Sequence, residues 1–123
     1  MMQLSQLFRR GILVPLTDRS AEQLSRWSVD DFVMVQFLPI GDQSLFDAIW
    51  QAGVFQALNG ACSTLIDDYE EEDLRPDLLE RAILTLSTLQ RKVNEPAVAL
   101  FVESLIAICR SAQEKNRPVY FVL

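Results

Sequence analysis

Histidine is absent from this 123-residue chain. That removes the commonest general base, the Ser-His and Cys-His nucleophile pairs and nearly every zinc site built on imidazole. Cysteine is scarce: Cys62 and Cys109 stand far apart in apolar or small-residue settings, which favours buried free thiols in a reducing cytosol over a single disulfide. The four glycines are scattered, with no phosphate-cradling Gly-rich loop, no Gly-x-Ser-x-Gly and no Cys-x-x-Cys. Only two lysines occur, Lys92 and Lys115, both in polar company beside expected helix ends, so neither is set up as a desolvated Schiff-base lysine. Long hydrophobic runs are missing too. Ala97 to Val102 is interrupted by Glu103, well short of the roughly 20 residues of a membrane span. Ile12-Leu13-Val14, halted by Pro15, is too short for a signal-peptide core. These absences predict a cytoplasmic protein with no membrane partner and no cofactor.

What the chain does contain is a core. Half its residues are hydrophobic, with seven Phe and two Trp, enough for a single globular domain over residues 1–123 without metal or disulfide staples. Leu4, Leu7 and Phe8 predict a short helix from Met2 to Arg10, and Ala21, Leu24 and Trp27 another from Ser20 to Trp27. Gly11 to Leu16 reads as an extended piece that Pro15 would confine to a sheet edge. Phe32 to Leu38, between Asp30-Asp31 and Pro39, reads as a strand buried on at least one face. Gly41-Asp42 opens a longer helix with Asp42 or Ser44 as cap, a stripe from Leu45 to Phe55, and a stop at Asn59-Gly60. Pro76 opens the next, through Leu79, Ala82, Ile83, Leu86, Leu89 and Val93, with Asp77 and Arg81 as an outer i,i+4 pair. Pro96 opens a third, from Ala97 to about Glu114, apolar on nearly all sides and so expected at the centre, with Glu103 at its solvent edge. Val119 to Leu123 is rich in strand formers. The fold class is α+β: three long helices packed on a small sheet that includes the C-terminal strand.

Most of the chemical individuality lies in Asp67-Asp68-Tyr69-Glu70-Glu71-Glu72-Asp73, six carboxylates around one tyrosine. From Asp67 to Glu80 there are eight acidic residues against Arg75, so this window carries −7 of a formal net charge of −6 and the remainder is nearly balanced at +1. A plain reading makes the run a solvated segment ahead of the Pro76 helix. Six like charges nevertheless exceed what a helix N-terminus uses, since its dipole rewards about 0.3–1 kcal/mol per charge and only within the first turn. The oxygens suit Mg²⁺ or Ca²⁺, but an EF-hand loop started at Asp67 has Glu72 where glycine belongs and Leu78 where glutamate belongs. Asp67-Asp68-x-x-Glu71 is like the aspartate-rich motif of prenyl-diphosphate enzymes, whose size and second motif are missing here. No metal site is therefore assigned. Two carboxylates can do acid-base work without histidine, so a small carboxylate-based or metal-dependent enzyme is the runner-up. Nucleic acid is disfavoured, because the dominant patch repels phosphate and Arg9 and Arg10 are too few to reverse it.

There remains a non-enzymatic protein-binding module, with Asp67, Asp68, Glu70, Glu71, Glu72 and Asp73 steering a basic protein and Tyr69 as the anchor. On Leu58 to Leu74, with the segment Ile66-Asp67-Asp68-Tyr69-Glu70 between helices, and on size, charge and helix content, the chain resembles small acidic bacterial immunity proteins of toxin–immunity systems. That resemblance implies inhibition of a cognate basic toxin or nuclease, with carboxylates in the place of phosphate or against catalytic lysines and arginines. A further alternative is an assembly protein that dimerises through Val119 to Leu123 at an exposed edge. Trp50 and Phe55 are expected in the core, and Trp27 is open to a role as a surface anchor.

Overall fold

Two continuous apolar segments, Gly11–Pro15 and Val119–Val122, buried on both faces, build the centre of the sheet. In the computed structural model, which describes residues 1–68 and 70–123, the chain runs β1 (Met2–Gln3), α1 (Leu4–Phe8), β2 (Gly11–Pro15), α2 (Asp18–Ser25), β3 (Ser28–Val29), β4 (Val35–Pro39), α3 (Gln43–Gln51), α4 (Val54–Cys62), β5 (Glu71–Leu74), a 3-10 turn (Pro76–Leu78), α5 (Leu79–Gln90), α6 (Pro96–Lys115) and β6 (Val119–Val122). Four strands form an antiparallel sheet in the order β4-β2-β6-β5, and β1 pairs with β3 in a separate two-stranded ribbon. The fold is thus α+β, with the C-terminal strand inside the sheet.

Side-chain alternation divides the sheet into two faces. Ile12, Val14, Leu74, Val119 and Phe121 point into the larger core, closed by residues of α3, α4, α5 and α6. Leu13, Tyr120 and Val122 point the other way, against Leu4 of α1, Leu24 of α2 and Val29 of β3. α6 supplies eight buried residues to this arrangement. At 20 residues and a mean hydropathy of 1.3 it is long and apolar enough, by those measures alone, to cross a membrane, because the helix continues through the Glu103 that ends the apolar run. Glu103 itself is exposed. Trp50 and Phe55 join a ring cluster with Phe46, and Phe55 also meets Phe101 and Phe121 edge-on. Trp27 is a packed residue and not a surface anchor: half-buried, it sits edge-on to Tyr120 with centroids 5.2 Å apart, and that packing holds its positive φ of 57°.

Several local expectations are corrected. β2 is an interior strand despite Pro15. Leu13 lies opposite Tyr120, so Pro15 falls beyond the end of β6, and its missing N–H breaks no ladder bond. The strand expected from Phe32 begins only at Val35, leaving Phe32 82% exposed on a turn. The stripe from Leu45 to Phe55 is two helices, not one. Gly53, at φ 80°, breaks it between α3 and α4, while Asn59-Gly60 lies inside α4. Periodicity alone misses this break, because the apolar face continues across it. Asp77 lies 3.6 Å from Arg75, not against Arg81, whose guanidinium donates to the carbonyl of Ala61. Finally, β6 is hydrogen-bonded to β2 on one side and β5 on the other, so a dimer through its edge is not available. The sheet's edges are β4 and β5.

Two glycines illustrate opposite constraints. A Cβ on Gly11 would stand 2.3 Å from the Phe37 ring and 2.8 Å from the Leu38 carbonyl oxygen, whereas one on Gly60 meets nothing within 4 Å. Gly11→Ala should therefore destabilise the fold by about 1–3 kcal/mol through overpacking. Gly60→Ala, in a helix interior, should stabilise it by about 0.5–1 kcal/mol. Urea denaturation of the two variants checks both signs.

Candidate functional site

Glutamate is a poor strand former, and nothing local makes Glu71-Glu72-Asp73-Leu74 extended. Long-range pairing does. Glu71, Glu72, Asp73 and Leu74 lie opposite Val122, Phe121, Tyr120 and Val119, and Leu74, 1% exposed, buries the end of β5 in the larger core. Half of the acidic run is thus an edge strand and not a solvated loop. The Leu123 N–H donates to the Glu70 carbonyl at 3.0 Å, which makes Glu70–Leu123 a hydrogen-bonded pair. By the antiparallel alternation, the N–H groups of Glu72 and Leu74 then point into the sheet and those of Glu71 and Asp73 point out.

Ahead of the strand, the chain is fixed by three side chains, those of Asn59, Arg10 and Glu72. Asn59 of α4 donates to the Ile66 carbonyl at 2.9 Å, and its amide oxygen accepts from the Ile66 N–H at 2.7 Å and the Thr64 hydroxyl at 2.8 Å. Arg10, its side chain only 12% exposed, donates to Asp68 Oδ1 at 2.5 Å and to Gln43 Oε1 at 2.9 Å, and its guanidinium lies 4.0 Å from the centre of the Phe46 ring. Glu72 accepts from two backbone N–H groups, Leu65 at 2.7 Å and Asp73 at 3.0 Å. The second of these covers one of the two outward-pointing donors of β5.

The six carboxylates therefore separate into two groups. Asp68 and Glu72 are structural, and Asp67 accepts from the Asp68 N–H next to it. The side-chain carboxylates of Glu70, Glu71 and Asp73 accept no hydrogen bond from any described residue; the first two residues are exposed and Asp73 is half-buried. Glu71 and Asp73 share the face of Tyr120 and Val122, beyond the cover of α1. Between α1 and β5 opens a cleft of about 270 Å³, lined by Ser5, Arg9, Glu70, Glu71, Val122 and Leu123. Arg9 donates to the Leu123 carbonyl at 3.2 Å on its floor. Beside it, burial, reinforced by the Asp73 charge, pushes the Tyr120 phenol up to about 12. Tyr69, the anchor proposed from the sequence, lies outside the described residues.

Arg10 is what sequence reading missed. It stands 58 residues from Asp68, and the Arg9-Arg10 pair carries no spacing signal that would join it to the acidic run. Cys62 and Cys109 are both buried and free, as expected, and burial raises both thiol pKa values. Among the described residues, no three Cys, Asp or Glu side chains are grouped to hold a metal ion. Comparison with protein-family models, with curated proteins and with solved structures finds no match to the chain.

Arg10→Ala should destabilise the fold by about 2 kcal/mol, because it strips Asp68 of its counterion and uncovers Phe46. Arg10→Lys should recover less than half of that, since an ammonium cannot serve Asp68, Gln43 and the ring together. Thermal and urea unfolding of the two variants read the difference.

Proposed function

We propose that this chain is a non-enzymatic protein-binding module, an immunity-type inhibitor that neutralises a basic toxin or nuclease domain. The observation that carries it is the grouping of Glu70, Glu71 and Asp73, whose side-chain carboxylates meet no described hydrogen-bond donor, along an edge strand and a cleft. Carboxylates that serve the fold are held by Arg10 and by backbone N–H groups. These three are instead placed where a cationic surface can reach them. Their mutual repulsion is relieved when lysines or arginines of a partner arrive, and their field raises the rate of encounter.

The face is suited to steering and rim pairing: Val122 and Leu123 line the cleft but are buried, so the surface it presents is dominated by the acids. Cys62 and Cys109, as free thiols, accord with action in a reducing cytoplasm. The toxin assignment itself stands on the resemblance to immunity proteins.

Two measurements test the proposal. The product of the reading frame beside this chain's own should arrest growth when expressed alone, and co-expression of this chain should restore growth; arrest that this chain leaves untouched overturns the toxin assignment. In the purified pair, the variant Glu70→Gln, Glu71→Gln, Asp73→Asn should keep its fold and associate about tenfold more slowly at low ionic strength, with the gap closing as salt rises. An unchanged association rate at low salt overturns the steering role.

A further inference from the structure

The two edges of the sheet are opposites. β5 carries three carboxylates in four residues, and Glu72 covers the outward N–H of Asp73, so its edge is closed to another strand by charge and by hydrogen bonding. The β4 edge has neither device. From Phe32 to Ile40 there is no charged residue. Leu16 N–H donates to the Met34 carbonyl and Ile40 N–H to the Arg10 carbonyl, which fixes the alternation: Gln36 and Leu38 bond to β2, while the N–H groups of Val35 and Phe37 point away from the sheet.

Exposed apolar side chains accompany these donors: Phe32 at 82%, Met34 at 56%, Leu16 at 39% and Phe37 at 38%. The turn that presents Phe32 is held in place. Asp30 accepts from the Phe32 N–H at 3.0 Å, from Gln23 at 3.2 Å and from Arg19 at 2.6 Å, and the Met34 N–H donates to the buried Ser20 hydroxyl at 2.9 Å. Burial pushes the Asp30 carboxyl up, but these bonds outweigh it and hold its pKa below the usual value. An exposed aromatic on a pre-ordered turn loses little freedom on binding, the property of an interface anchor.

We propose that the β4 edge pairs with β4 of a second copy of this chain, antiparallel about a two-fold axis, to give one continuous eight-stranded sheet. Charge argues for a second copy as the occupant. A symmetric pairing places each residue near its own counterpart, which β5 forbids and an uncharged β4 permits. A two-fold register centred on Gln36 sets Val35 opposite Phe37 of the other copy, uses the four outward donors, Val35 and Phe37 from each copy, and asks nothing of Pro39, which has no N–H. The two β5 edges then lie at opposite ends of the shared sheet, so the dimer presents its acidic clefts as two separate sites.

The test is sedimentation velocity on the full chain over a concentration series. Wild type should show a concentration-dependent dimer. Val35→Pro removes an outward donor without touching the ladder to β2, and should raise the dimer dissociation constant about tenfold or more with circular dichroism unchanged. Met34→Lys, at an exposed position, keeps the test decisive if Val35→Pro fails to fold, and should weaken the dimer in the same sense, more so at low salt. A wild-type monomer at every concentration overturns the proposal. So does a dimer that a folded Val35→Pro or Met34→Lys leaves unchanged, or association only with a different protein.

Discussion

Everything in this molecule converges on β6. Its four residues pair with β5 on one side and three of them with β2 on the other, Phe121 fills the core beneath the helices, and Tyr120 fills the core beneath α1, α2 and the β1–β3 ribbon. Neither face of the sheet closes until this strand is in place. Its partners are distant in sequence, so the entropy of closing those long loops is offset only when both ladders and both cores form together. The Phe55, Phe101 and Phe121 rings, with centroids 6.3 Å from Phe55 in each case, tie the strand to α4 and α6.

The same constraint explains how a run of like charges can be ordered. Carboxylates on a free segment would spread apart; here the backbone of β5 is held by β6, Leu74 is buried, and Arg10 and Asn59 fix the chain ahead of it. Stabilising interactions act on the backbone, on Asp68 and on Glu72, while Glu70, Glu71 and Asp73 take the repulsion. That division separates the charges the fold uses from those it leaves for something else. An acidic edge also protects the sheet, since β5 of one copy repels β5 of another. Edge protection and partner steering draw on the same residues, and the salt dependence of partner association separates the two roles.

Much of this was legible in the residues. Pro76 and Pro96 mark where helices begin, Asp42 caps α3, and the β-rich C-terminal segment is a strand, because each signal is local and acts within one turn or one strand. Other features rest on distant contacts. The β5 strand is written in glutamate and aspartate, and only pairing with residues some fifty positions away extends it. Gly53 breaks a stripe whose periodicity continues, and Pro15 sits in an interior strand because its neighbour ends one pair earlier. The acidic residues could be named from the sequence, yet their division into structural and free carboxylates could not. That division depends on Arg10, reached only through the fold.

Amide hydrogen exchange at Glu71, Glu72 and Leu74 tests most directly whether the acidic run is an edge strand held by β6. With β5 formed, Glu72 and Leu74 N–H groups, which face β6, exchange slowly, and the outward Glu71 N–H exchanges fast. Fast exchange at all three under native conditions would mean a solvated segment, and would contradict the ordered placement of Glu70, Glu71 and Asp73.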